Sequence, residues 1–316
     1  MPVSISAVVA LRDTRHCVMC LTRVDRRPPM RYRYQPATVR RGCHRRVEWR
    51  TVRVNDRMAV YGVAGSGPPV VFIHGWELAP HVYRHALAQL ARNNVRVFAP
   101  AVPGFAGASD RPFEERTLDS YVAWLGRFLE AVGIGPVILV GHSFGGAIAI
   151  QAAHDLPDRV SRLVLVNSIG GDARPGPGKS ALSIHERPLW YWGAAALGEA
   201  LSRNMFSHAS ATSTHAISPT ALRDPGAVWR TAHIARTANL TAELNRIADR
   251  GLPVSLLWGR ADRLIPRASF ESLRESLRTP PVFTVAGGHG WLINDPKYFG
   301  NAMRTVLNWV PTGAAA

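Results

Sequence analysis

Val137-Ile138-Leu139-Val140-Gly141-His142-Ser143-Phe144-Gly145-Gly146-Ala147-Ile148-Ala149-Ile150 is the stretch that decides the fold. Its first four residues are apolar without alternation, the pattern of a strand buried on both faces. The run from Gly146 reads as a helix, so Gly141-x-Ser143-x-Gly145 falls on a strand-to-helix turn. So sharp a turn drives its serine toward sparsely populated backbone angles, and the positions two residues to either side crowd the adjacent chain and require glycine. Ser143 is then exposed above a sheet, at a helix N-terminus whose free N–H groups and dipole favour developing negative charge. As a bare pattern the motif also occurs in structural turns; the flanking strand and helix give it chemistry. His142, at the variable position, reads as local packing.

The same apolar runs recur on either side. Pro69–Ile73, Val95–Ala99, Leu163–Val166, Val254–Trp258 and Val282–Val285 read as further central strands. Helical stretches at about 81–92, 117–131, 144–156, 267–278 and 294–309 alternate with them, which predicts a doubly wound, mostly parallel sheet. Ahead of these, Val47–Val54 alternates apolar and polar residues and turns at Asn55-Asp56 into a second strand through Tyr61, an antiparallel hairpin. Residues 170–250 contain no strand run and are rich in Ala, Ser and Trp, so they read as an inserted helical cap. The expected division is a basic, disordered N-terminal extension at 1–46, a core at 47–169 and 251–312, and the cap at 170–250.

Composition narrows the class. The 316 residues are 47% hydrophobic and 19% charged, which excludes a disordered or fibrous chain. The net charge of +16 is concentrated at the start: residues 1–50 hold 12 Arg and 3 acids, and the other 266 hold 26 basic and 19 acidic residues. All but two of the basic residues are Arg, a bias that fits a GC-rich genome, so a nucleic-acid partner is not expected. No apolar stretch reaches the roughly 18–20 residues of a membrane-spanning helix, and Ser4–Leu11 lacks the flanks of a secretory signal. The expected location is the cytoplasm, with an organelle or an acidic surface, reached through the Arg-rich extension, as the alternative. Cys17, Cys20 and Cys43, with His44, superficially offer zinc ligands, but they lie in the extension without an ordered second pair and read as incidental. No metal or organic cofactor is expected.

A serine hydroxyl needs a histidine base, and that histidine needs a carboxylate to fix its tautomer. His289, in Ala286-Gly287-Gly288-His289-Gly290-Trp291 just past the last strand, is free to swing over Ser143. The acid is expected from Gly259-Arg260-Ala261-Asp262, past the preceding strand. Asp262 is preferred because the order Ser, Asp, His is that of the strand-turn-helix hydrolases. Pairing with Arg260 or Arg263 is its bland alternative, and Asp172, after the strand ending at Val166, is a second usable acid position. Two backbone donors should form the oxyanion hole: the N–H of Phe144 and that of Trp76, which Gly75 turns into the site. His74 reads as a structural anchor for that loop.

These ordered landmarks resemble the α/β-hydrolase superfamily over about residues 47–310. Pro100-Ala101-Val102-Pro103-Gly104-Phe105-Ala106-Gly107-Ala108-Ser109-Asp110 is similar to the corresponding segment of the epoxide hydrolase and haloalkane dehalogenase branch, with Ala101 where an aspartate is usual. That branch uses an aspartate nucleophile, whereas Ser143 implies acyl transfer. Capped members carry a helical lid where residues 170–250 lie. Its Trp190, Trp192 and Phe206, with Trp291, are candidate substrate-binding residues for an apolar group, although aromatics in such an insert equally form its own core.

The expected function is hydrolysis of a carboxylic ester, or a related acyl bond, of a small apolar molecule through an acyl-serine. Amide or lactone cleavage uses the same triad. The His74-Gly75-Trp76 loop is also similar to that of cofactor-free haloperoxidases, whose acyl-serine reacts with peroxide, and it does not match the glycine-rich loop of carbon–carbon bond hydrolases. A non-catalytic small-molecule receptor on this fold is the alternative from another class.

Overall fold

The computed structural model describes residues 46–76, 78–105, 117–172 and 225–309, and for 225–230 the backbone alone. The expected extension, its cysteines, most of the cap with Trp190, Trp192 and Phe206, and Ala106–Asp110 lie outside the described residues.

Eight strands, β1 (Glu48–Val54), β2 (Arg57–Gly65), β3 (Pro69–Ile73), β4 (Arg96–Pro100), β5 (Val137–His142), β6 (Val160–Val166), β7 (Val254–Gly259) and β8 (Val282–Val285), form one sheet. Their spatial order is β1-β2-β4-β3-β5-β6-β7-β8. The β1–β2 hairpin joins β4 antiparallel, and every neighbouring pair from β4 to β8 is parallel. Parallel neighbours need crossovers, supplied by α1 (Arg84–Leu90), α2 (Leu118–Val132), α3 (Phe144–Asp155), α5 (Thr241–Asp249) and α6 (Arg267–Ser276). Ahead of α5 stands α4 (Pro225–Thr237), and after β8 come α7 (Trp291–Asn294) and α8 (Pro296–Asn308).

Because successive strand side chains point to opposite faces, the central strands feed two cores at once, which is why their sequences do not alternate. In β3, Val71 and Ile73 join Leu139, Leu163, Leu165 and the residues of α2 and α3 on one face. Val70 and Phe72 join Val140, Val164, Leu87 of α1 and Phe299 and Met303 of α8 on the other.

The structure departs from the sequence expectations in three places. The second strand of the hairpin runs past Tyr61 to Gly65, because Tyr61 to Gly65 pair with β4. The stretch expected at 294–309 is divided: Pro296 opens α8, and the Asp295 carboxylate caps it by accepting from the Tyr298 N–H at 2.9 Å. Finally, α5 falls inside the range expected for the cap, yet it packs Leu244 and Ile247 into the core shared with α3. It is the crossover helix that β6 and β7 require. Among the described residues no helix is long and apolar enough to cross a membrane.

Candidate active site

The turn from β5 into α3 places Ser143 at φ 55°, ψ −121°, a region L-residues rarely occupy, at a cost of about 1–3 kcal/mol. Three backbone bonds hold it there. The Ser143 N–H donates to Val166 O at 3.1 Å, and its carbonyl accepts from the N–H groups of Gly146 at 2.9 Å and Ile169 at 3.3 Å. The flanking glycines are demanded by space: a Cβ at Gly145 would collide with the Ile73 and His74 carbonyls, and one at Gly141 would lie 2.5 Å from Gly145 O. Phe144 is the first residue of α3, where a helix N–H has no intrahelical acceptor, and its ring is locked against Phe105 and Tyr121.

His289 sits on the loop after β8, and its Nδ1–H donates to Asp262 Oδ2 at 2.9 Å. Asp262 is on the turn after β7, with its side chain fully buried. Its Oδ1 accepts from the Leu264 and Ile265 N–H groups at 2.8 and 3.0 Å. Burial alone would raise the carboxyl pKa, but the neighbouring His289, together with hydrogen bonds from His289, Ile265 and Asn167, holds it below the ordinary aspartate value. The carboxylate therefore stays ionised beside the imidazole. Asp172 lies farther along the loop after β6, with its backbone N–H on Ser272 Oγ at 2.8 Å.

Asn167 was not among the residues the sequence singled out. It follows β6 at φ 43°, fully buried, and its Nδ2–H donates to Asp262 Oδ2 at 2.5 Å. Its Oδ1 accepts from the Gly259 N–H at 3.2 Å and from Trp291 Nε1–H at 2.9 Å, which fixes the orientation of the amide. Trp291, expected at the substrate pocket, is placed by these contacts behind Asp262. It is 3% exposed, packs on Tyr298 and Phe299, and commits its indole N–H to Asn167, so it supports Asp262 from behind.

The loop after β3 passes directly against the elbow. A Cβ at Gly75 would come within 3.4 Å of Ser143 Cβ and 3.3 Å of His142 Nδ1, so the loop packs tightly against the elbow here. His74 is structural: its Nδ1–H donates to Gly75 O at 3.0 Å and its Nε2 accepts from the Val102 N–H at 3.0 Å. Burial lowers its pKa to about 4, keeping it neutral. The half-buried Trp76 donates its indole N–H to Thr231 Oγ1 of α4 at 2.8 Å.

Strained serine, buried histidine and carboxylate at the ends of three parallel strands are what hydrolases of the strand-turn-helix type present. In agreement, residues 70–302 match the model of the alpha/beta hydrolase family, and the chain belongs to that family. It is similar to a putative non-heme haloperoxidase of Mycobacterium phage D29, 26% identical over 74% of this chain and 85% of the relative. A 2-hydroxy-6-oxo-2,4-heptadienoate hydrolase of Pseudomonas putida is 40% identical over 34% of this chain and 39% of its own length. Among solved structures, a bromoperoxidase from Bacillus anthracis superposes with a TM-score of 0.62 at 20% identity, over 83% of this chain and all of that one. That likeness is one of fold.

Proposed function

We propose that the protein is a serine hydrolase of small carboxylic esters. The observation that carries this reading is the 2.9 Å bond from His289 Nδ1–H to the buried Asp262 carboxylate, with Ser143 strained at the elbow. With Nδ1 protonated and held, Nε2 is left as the base. In the reaction, Ser143 Oγ attacks the acyl carbon and its proton passes to His289 Nε2, while Asp262 steadies the imidazolium. The carbonyl electron pair moves onto the oxygen, where the Phe144 and Trp76 N–H groups stabilise the oxyanion. Collapse expels the alcohol, which takes the proton from His289. Water, deprotonated by the same imidazole, then releases the acid and restores Ser143.

The experiment is initial rates on p-nitrophenyl esters from acetate to palmitate, wild type beside Ser143→Ala. Ester turnover that falls by on the order of 10⁴-fold in the variant supports the reading, and a rate that survives the substitution sinks it. The chain-length optimum sizes the pocket.

The likeness to the phage haloperoxidase favours a second reading, in which peroxide replaces water at the acyl-serine and a peracid leaves. Peroxide-dependent halogenation in acetate buffer, abolished in Ser143→Ala, distinguishes it. Cleavage of a carbon–carbon bond is disfavoured by the His74-Gly75-Trp76 loop.

A further inference from the structure

Besides the structural His74, two buried titratable side chains take no part in the acyl transfer described above. Tyr83 closes the turn of 3₁₀ helix Pro80–Tyr83 and His142 ends β5, and each is no more than 1% exposed. Burial pushes the tyrosine pKa up and the His142 pKa down to about 3, the latter reinforced by His289 beside it, so both stay neutral.

Their hydrogen bonds run in a chain with one consistent arrangement of protons. Gly75 N–H can only donate, so Tyr83 Oη accepts from it at 3.1 Å. The tyrosine's single O–H is then directed to His142 Nδ1 at 2.9 Å, which must be unprotonated. The imidazole proton is thereby on Nε2, and that N–H donates to the backbone carbonyl of His289 at 3.2 Å. The chain thus begins on the loop that carries Trp76, passes through the residue next to Ser143, and ends on the main chain of His289. The rings of His142 and His289 lie 4.9 Å apart.

We propose that Tyr83 and His142 are positioning residues, a buried bridge that holds the oxyanion loop and the His289 loop at fixed distances from the Ser143 elbow. The proposal rests on the acyl-serine reading. Geometry errors of about 1 Å at a reacting centre cost on the order of 100-fold in rate, so a bridge spanning three loops acts on kcat more than on substrate binding.

The test compares Tyr83→Phe, His142→Leu, His142→Gln, the Tyr83→Phe/His142→Leu double variant and Ser143→Ala with wild type, on the ester giving the best rate. Near-UV circular dichroism and melting check that each is folded. Tyr83→Phe and His142→Leu are each expected to lower kcat by about tenfold or more with KM within about threefold. The double variant should fall no further than about threefold below the worse single one, because the bridge acts as a unit. Glutamine keeps one acceptor and one donor, and His142→Gln should recover most of the rate. Unchanged kcat in Tyr83→Phe, multiplied effects in the double variant, or equal losses in His142→Leu and His142→Gln would each overturn the proposal. Should His142→Leu not fold, Tyr83→Phe decides, since it removes one oxygen.

Amide hydrogen exchange at Gly75 needs no substrate and separates this proposal from the serine reading. Exchange about tenfold faster in Tyr83→Phe supports the bridge, and unchanged exchange overturns it. A wild-type ester rate retained in Ser143→Ala would sink the serine reading and leave the exchange result standing.

Discussion

Asn167 carries no charge, yet it is among the groups that hold Asp262 ionised, as neither neighbouring arginine is. Its amide satisfies Asp262 Oδ2 on one side and the Gly259 and Trp291 N–H groups on the other. Asn167→Leu would orphan both donors and remove a bond from the carboxylate, at about 1–3 kcal/mol for each unpaired buried group. The expected outcome is a clearly lowered urea midpoint together with a kcat loss of about tenfold or more at near-constant KM. Asp262→Asn should leave the fold nearly intact and lower kcat by on the order of 10⁴-fold, because the imidazole is no longer held in the productive tautomer. Steady-state kinetics on both variants checks the pair, and equal effects would mean that Asn167 is doing more than orienting Asp262. At this scale Ser143, His289 and Asp262 were legible as candidates for the proposed triad because each stands in a short pattern beside a strand end. Asn167 and Tyr83 stand in none: a single amide after Val166 and a tyrosine in His81-Val82-Tyr83 acquire meaning only from what lies across the sheet. The contacts of Trp291 were hidden for the same reason, since adjacency to His289 in the chain says nothing about which face its ring is buried on.

At the scale of elements, the contact between the loop after β3 and α4 is the one to probe. Trp76 Nε1–H meets the fully buried Thr231 Oγ1, so Thr231→Val replaces an acceptor with a methyl of similar size. A cost of about 1–3 kcal/mol is expected, read as a melting temperature lower by roughly 2–4 °C per kcal/mol for a chain of this size. Gly145→Ala should fail more severely, as insoluble or inactive protein, because its Cβ would meet two carbonyls of the main chain that cannot move aside. The strands were the most legible elements: runs such as Val70–Ile73 feed both cores and so lack polar positions. Helix ends were less so, since the break before Pro296 depends on a cap by Asp295. The packing of α5 was not legible, because its Leu244 and Ile247 look alike whether they bury against a lid or against α3.

For the whole molecule, acid is the informative perturbation. Unfolded imidazoles protonate near 6.5, whereas His74 and His142 resist protonation until about 4 and about 3. Between these values the unfolded chain binds more protons than the folded one, so stability is full above about pH 6.5 and falls as the pH drops. Two such groups give a slope of up to about 2.7 kcal/mol per pH unit between roughly pH 6 and 4. Asp262 adds to this farther down: its stabilisation is present above its unfolded value of 3.8 and is lost as pH falls through its lower folded value. Urea melts from pH 7.5 to 4.5 should show the slope, and His142→Gln should about halve it. A stability independent of pH across that window would contradict the burial of both imidazoles.

The bridge between Gly170 and Asn239, with the Leu240 N–H on Gly170 O at 2.7 Å, ties together the point where the chain leaves β6 and the point where it enters α5. Everything between them is, topologically, a loop with its two ends fastened side by side. Evolution can therefore lengthen, shorten or exchange that passage without redirecting a single strand. An engineer who exchanges that passage should keep Thr231 of α4 in place, because it holds the Trp76 indole.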